Sequence, residues 1–137
     1  MEEFLGKQYV MVSQENFDDY LVFMGVGYIS RKAAISLRPT HCLTRNDDGT
    51  YTFALKSKLA NSSCTFTPGE KFQETKADGV KVEALITFEG NIMTHKQIET
   101  NERTSTHIRE FHPDKLSVTT TAVGFEKTVT RVFQLVQ

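Results

Sequence analysis

Residues 81–135 read KVEALITFEGNIMTHKQIETNERTSTHIREFHPDKLSVTTTAVGFEKTVTRVFQL, and this stretch decides the fold class. Short Val-, Ile-, Thr- and Phe-rich segments alternate at a period of two, as strands do when successive side chains point to opposite faces. Turn signals punctuate them at Glu89-Gly90-Asn91, Asn101-Glu102, Pro113-Asp114 and Gly124-Phe125. A spacing of roughly eight to twelve residues is the rhythm of antiparallel hairpins. Towards the N-terminus the same period holds back to Thr40, through Ala77-Asp78-Gly79, Pro68-Gly69 and Asn46-Asp47-Asp48-Gly49. The count is roughly nine strands, plus one in Gln8-Tyr9-Val10-Met11-Val12. No interval leaves room for a βαβ crossover, so a doubly wound sheet is excluded. So many meandering strands in one small domain close most economically into an all-β barrel, because closure removes exposed edges.

The segment before Thr40 is different in kind. Phe17, Tyr20, Leu21 and Met24 fall at i, i+3, i+4 and i+7, one apolar helix stripe. Asn16 is the expected N-cap, with Asp18 and Asp19 near the positive end of the helix dipole. Gly25-Val26-Gly27 stops this helix, and a second is expected from Ser30 to Leu37, ending before Pro39. The pair forms a helical hairpin over about residues 16–38.

At 137 residues the chain suits a single domain, 1–137. Sixteen basic against seventeen acidic side chains give a net charge of −1, which offers no general affinity for nucleic acid. The longest apolar runs are a few residues, so no membrane-spanning helix is expected. Met1-Glu2-Glu3-Phe4-Leu5 lacks the features of a secretory signal, and Cys42 and Cys64 fit reduced thiols; together these point to the cytoplasm. The sequence holds no Gly-rich phosphate loop, CxxC, HExxH or GxSxG. The four histidines, His41, His95, His107 and His112, show no metal-ligand spacing and read as structural or solvated. Cys64 reads as a small core residue rather than a nucleophile. The expectation is a binding protein, not an enzyme, with no metal and no cofactor.

Charge on an apolar strand face is the informative feature. In Lys127–Leu135 one face carries Val129, Arg131, Phe133 and Leu135; in an earlier strand Ser105, His107, Arg109 and Phe111 share a face. A lone strand arginine ordinarily snorkels to solvent or pairs at the surface. Two arginines converging inside a barrel are destabilising unless an anion or ordered water compensates them, and a guanidinium fork matches a carboxylate. Other inward candidates are Met93, His95 and Gln97 on one strand and Leu116, Val118, Thr120 and Ala122 on another. Such a lining accepts an amphipathic acid, its head on the arginines and its tail against the apolar wall.

The chain resembles the intracellular lipid-binding proteins, specifically the cellular fatty-acid-binding proteins and among them invertebrate members, along essentially its whole length. The landmarks are Phe4-Leu5-Gly6, Glu15-Asn16-Phe17-Asp18-Asp19-Tyr20, Gly25-Val26-Gly27, Arg31-Lys32-Ala33, Pro39, Gly69-Glu70-Lys71-Phe72, Ala77-Asp78-Gly79 and Thr130-Arg131-Val132-Phe133. The resemblance implies a ten-stranded antiparallel up-and-down barrel of lipocalin-like, calycin type, capped by a helix-turn-helix lid over a water-containing cavity. It implies a monomer that binds and transports long-chain fatty acids, the carboxylate held by Arg109 and Arg131. By the same resemblance Phe17, Tyr20, Val26, Ala34, Leu59, Asp78, Gln97 and Val118 line the cavity or portal. The family's motif is commonly Arg-x-Tyr, whereas here it is Arg131-Val132-Phe133, so one hydroxyl donor is missing. A retinoic-acid carrier uses a similar arginine arrangement and is the near alternative. A lipid-acting enzyme and a protein-interaction barrel are alternatives of another class. Arg31, Lys32, Lys56 and Lys58 are placed to steer the lid to an anionic membrane surface, with a plain solvated face as the competing reading.

Overall fold

A computed structural model describes residues 1–58, 61–76, 78–100 and 103–137. Leu59, Ala77 and the turn expected at Asn101-Glu102 lie outside the described residues. A 3-10 turn (Glu2–Phe4) precedes β1 (Gln8–Glu15), which leads into α1 (Phe17–Phe23) and α2 (Tyr28–Ser36). Then follow β2 (Thr40–Arg45), β3 (Tyr51–Lys56), β4 (Asn61–Phe66), β5 (Phe72–Thr75) and β6 (Lys81–Glu89). The chain finishes with β7 (Ile92–Ile98), β8 (Thr104–Phe111), β9 (Lys115–Ala122) and β10 (Val129–Leu135).

The strands form one ten-stranded sheet in the order β4-β3-β2-β1-β10-β9-β8-β7-β6-β5. Every paired neighbour is antiparallel, and β1 pairs β10 to bring the two ends of the chain together. The expected full closure is not reached. β4 and β5 are the two ends of the hydrogen-bonded order, so the barrel wraps round almost completely and leaves one seam without a ladder. β5 is only four residues long, too short to carry the ladder far.

Both helices form, with different ends from those expected. Asn16 sits in the left-handed region (φ 64°) and its side chain makes no cap; its amide donates instead to the Thr128 carbonyl at 3.0 Å. Asparagine tolerates that conformation better than most residues, and using it turns the chain sharply from β1 into α1. α1 ends in a Schellman turn: Gly25, at φ +82°, donates to Val22, and Val26 donates back to Leu21. The second helix starts at Tyr28 rather than Ser30 and stops at Ser36, leaving Leu37 extended ahead of Arg38 and Pro39.

The core sits at the end away from the helices. Phe4, Tyr9, Met11, Leu43, Phe53, Phe66, Ile86, Met93, Phe111, Leu116, Val118 and Phe133 form one buried cluster. The N-terminal turn plugs this end, with Phe4 stacked on Phe111 at 5.9 Å and Tyr9 edge-on to Phe111 at 5.8 Å. Aromatic pairs of this kind contribute about 0.5–1.5 kcal/mol each beyond burial of their area.

Candidate functional site

Register sets the height of each inward side chain. Met93 pairs Arg109, Arg109 pairs Val118, and Val118 pairs Arg131, so four neighbouring strands carry these residues at one level. Below that level the inward positions are apolar, as in Leu116, Phe111 and Phe133. Above it β7, β8 and β9 turn polar, with His95, Gln97, His107, Ser105 and Thr120 all buried, while β6 and β10 stay apolar with Ile86, Ala84 and Val129. Between this polar storey and the lid lies a cavity of about 710 Å³, within the range of ordinary ligand pockets.

Phe17, Tyr20, Val26, Ala34, Asp78, Gln97, Arg109 and Arg131 line this cavity, as do Leu21 and Met24 of the α1 stripe. Val118 and Phe133 do not. Both are fully buried in the apolar cluster, because the floor below the arginines is filled by side chains. Leu59 lies outside the described residues. Cys64, read from the sequence as core, is half-buried on the cavity wall, and burial pushes its thiol up to about 12. It is a thiol, not a thiolate, at neutral pH.

Arg109 and Arg131 are 4% and 8% exposed, so neither snorkels. Burial and then the neighbouring Arg131 charge bring Arg109 down to about 9, and burial brings Arg131 down to about 10. Both stay cationic at neutral pH. Aromatic faces replace part of the lost hydration: Arg109 lies 4.4 Å from the Phe53 ring centre, and Arg131 lies 4.9 Å from that of Phe17.

Arg109 is further held by a network that sequence reasoning missed. Its Nη1 donates to His95 Nδ1 at 3.0 Å, and His95 Nε2 donates to Glu74 Oε1 at 2.7 Å. Gln97 donates to the other Glu74 oxygen at 3.1 Å and accepts from His107 Nε2 at 2.7 Å. His107 Nδ1 accepts from Thr120 at 2.7 Å. The chain of donors and acceptors closes with both histidines neutral and Glu74 ionised. Burial, then the Arg109 charge, hold His107 well below the usual imidazole value. His95 is lowered by burial first, against the pull of its Glu74 hydrogen bond. Burial alone would raise Glu74, but hydrogen bonds from His95 and Gln97, with the Arg109 charge beyond, lower it on balance. The two histidine rings do approach, at 5.6 Å, but as members of this chain rather than as ligands. No group of three or more metal-ligating side chains occurs among the described residues.

The charge count follows. The cavity wall also carries Lys76, which pairs with Asp78 and Glu99, so beside the two guanidinium cations stands Glu74, engaged on the Arg109 side. Arg131 has no ion pair among the described residues, and the Nε atoms of both arginines are buried without partners. Around the arginines positive charge is therefore locally in excess and faces a cavity with largely apolar walls. That arrangement receives an amphipathic anion.

The lid is tied down unevenly. The Tyr20 and Ser105 hydroxyls share a hydrogen bond at 2.8 Å, and Lys127 pairs with Asp19 at 2.7 Å, fastening α1 to the barrel. Arg31 pairs with Asp18 at 2.8 Å and so joins the helices, which removes it from the free cations expected on the lid. Lys32, Lys56 and Lys58 remain exposed. α2 has no buried residue, and Tyr28 and Ile29 are 66% and 83% exposed. Among the described residues no helix is long and apolar enough to cross a membrane.

No protein-family model matches the chain. Individual proteins do. Over 120 residues, 87% of this chain and 88% of the relative, it is 36% identical to the muscle fatty acid-binding protein of Schistocerca gregaria. It is also 36% identical over 120 residues to a fatty acid-binding protein of Tyrophagus putrescentiae, covering 88% and 90% of the two chains. Among solved structures, fatty-acid-binding protein 1 of Echinococcus granulosus superposes over 100% of both chains with a TM-score of 0.91 at 29% identity. The Schistosoma mansoni fatty acid binding protein in complex with arachidonic acid also gives 0.91, at 28% identity over 100% of this chain and 98% of that one.

Proposed function

The chain belongs to the fatty-acid-binding protein family, and from that premise we propose that it binds a long-chain fatty acid in the cavity beneath the lid and carries it through the cytoplasm as a monomer. One observation carries the reading: Arg109 and Arg131 are both buried at one level of the barrel, and among the described residues only Glu74 answers them, through His95 on the Arg109 side. A fatty-acid carboxylate supplies the missing negative charge, and the acyl chain covers the apolar wall formed by Phe17, Leu21, Met24 and Leu55. Arg131 is the principal anchor, since Arg109 already serves His95. Phe17, Tyr20, Val26, Ala34, Asp78 and Gln97 shape the cavity and its mouth, Val118 packs between the arginines, and Phe133 supports the headgroup level from below.

The reaction class is binding and release, with no covalent step. Transfer to membranes uses the lid, where the exposed Lys32, Lys56 and Lys58 meet an anionic surface.

Calorimetry of oleate and oleyl alcohol tests the reading. Arg131→Ala weakens oleate binding by about 1.5–3 kcal/mol, the value of hydrogen bonds to charged groups, and leaves the alcohol nearly unchanged. Equal losses for both ligands mean that the arginine acts through shape, and the carboxylate-receptor reading then fails. Retinoic acid, with the same headgroup on a stiffer body, is titrated alongside; tighter binding of it than of oleate reassigns the ligand class.

A further inference from the structure

His41 is fully buried on β2, and neither of its ring nitrogens has a hydrogen-bond partner among the described residues. Its ring lies 4.2 Å from that of Phe133 and 5.1 Å from that of Phe53. Those same two rings carry the arginines: Arg131 is 5.8 Å from Phe133, and Arg109 is 4.4 Å from Phe53. The unpartnered Nε atoms of Arg109 and Arg131 thus share their aromatic neighbours with the unpartnered imidazole. His41 does not itself line the cavity but sits directly behind it, paired with Leu55 on β3 and edge-on to Phe53, both lining residues, so a headgroup seated on the arginines has only to reach past Phe53 to meet it.

A polar ring here has no structural justification. The next inward residue of β2, Leu43, fills its place in the apolar cluster without leaving any polar atom unsatisfied. Leaving both imidazole nitrogens unpaired in such a place is destabilising. Burial, followed by the two arginine charges, keeps the ring neutral, so it presents one N–H and one lone pair. No partner fixes which nitrogen holds the proton, and either tautomer can form. A bound carboxylate offers about four acceptor positions. Arg109 commits Nη1 to His95, and Phe133 has no hydroxyl to give.

We propose that His41 is a headgroup-positioning residue whose imidazole N–H completes, with Arg109 and Arg131, the hydrogen bonding of the ligand's carboxylate. This inference rests on the carboxylate-receptor reading above. The ligand supplies the partner that the empty protein withholds from His41, so acid binding relieves an unsatisfied group as well as an unbalanced charge. A carboxylate, with about four acceptor positions, can engage all three donors, whereas a hydroxyl has only two lone pairs to offer.

The test is calorimetry of the full chain with oleate and with oleyl alcohol, on the His41→Phe and Arg131→Ala variants in parallel. His41→Phe is expected to lose roughly three- to tenfold in oleate affinity, the value of one net hydrogen bond, and to bind the alcohol as before. The empty His41→Phe protein is expected to melt at a higher temperature, since an unpaired polar ring has gone. Adding Phe133→Tyr to His41→Phe restores a donor and part of the loss. If Arg131→Ala discriminates acid from alcohol and His41→Phe does not, the role of His41 is rejected and the receptor reading stands. If neither discriminates, both fall. A measurement on the unaltered protein guards against misfolding of the variant: the 15N resonances of the His41 ring should settle into one tautomer with oleate and not with oleyl alcohol. Identical spectra with the two ligands reject the proposal, since an ordered water would then be the partner of the ring.

Discussion

The lower and upper halves of the barrel are built by the same strands and are opposite in content. β7 carries Met93 at the arginine level and His95 and Gln97 above it; β8 carries Phe111 below Arg109 and His107 and Ser105 above it; β9 carries Leu116 below, Val118 at that level and Thr120 above. Along these three strands the backbone repeats itself while the inward side chains change from apolar to polar at one height. Apolar rings interdigitate and fill the floor. Polar groups make hydrogen bonds along the wall to one another and do not meet across the middle, so the space under the lid stays hollow. The arginines mark the frontier, where a ligand's charged end meets the protein and the rest of it remains above.

Phe111→Ala should break the floor. Phe111 is 1% exposed and packs on Phe4 and Tyr9, so its loss leaves a cavity and lowers stability by about 3–5 kcal/mol in urea denaturation. The ratio of oleate to oleyl alcohol affinity should stay as it was, because no donor is touched. A changed ratio would show that floor and receptor are one unit.

The upper half and its border should respond to pH where the floor does not. His41, His95 and His107 resist protonation in the folded protein, chiefly because they are buried. In the unfolded chain each takes up a proton near pH 6.5. Their contribution is therefore complete above about pH 6.5 and declines as pH falls below it towards the folded values, by up to about 1.4 kcal/mol per pH unit for each histidine. Stability measured from pH 7.5 to 5.5 should slope downwards well before the ordinary carboxylate range. His41→Phe should reduce that slope, whereas Phe111→Ala should shift the whole curve and keep its shape. A flat profile breaks the contrast.

Glu74→Gln sharpens the comparison with a smaller effect. It removes the buried counter-charge and disturbs the bonds from His95 and Gln97, so the empty protein should lose about 1–3 kcal/mol. Oleate should nevertheless bind more tightly, since the cavity's excess positive charge grows. Parallel loss of stability and of oleate affinity would mean that Glu74 shapes the receptor instead of opposing it.

Much of this was legible in the residues. Period-two alternation with regular turn signals gives the strands, and the alternation alone puts Arg131 with Phe133 and Arg109 with Phe111 on inward faces. Glu74 was not legible. It lies on the shortest strand, where Phe72-Gln73-Glu74-Thr75 has too few residues to display a pattern, and its partners come from β7, more than twenty positions away. His41 was equally silent, since a histidine beside Cys42 and Leu43 reads as any half-polar strand residue. Only the folded arrangement, which sets its ring against Phe53 and Phe133, reveals that no side chain or backbone group among the described residues pairs with it. The cap expected of Asn16 failed for a similar reason: local preference favoured the side-chain bond, and the distant Thr128 carbonyl captured the amide.

The unlaced seam between β4 and β5 gives the wall a mechanical property that a continuous cylinder lacks. A hoop of unbroken ladders can widen only by stretching or rupturing hydrogen bonds all the way round. A split hoop widens by parting its two lips, which rub against each other through side chains alone. Cys64 on one lip and Glu74 on the other both face the cavity, so the girth of the chamber and the footing of Arg109 are set at the same place. A bulky guest that spreads the lips pulls on Glu74, and through His95 on the very guanidinium that steadies its head: the wall in this way feels the tail.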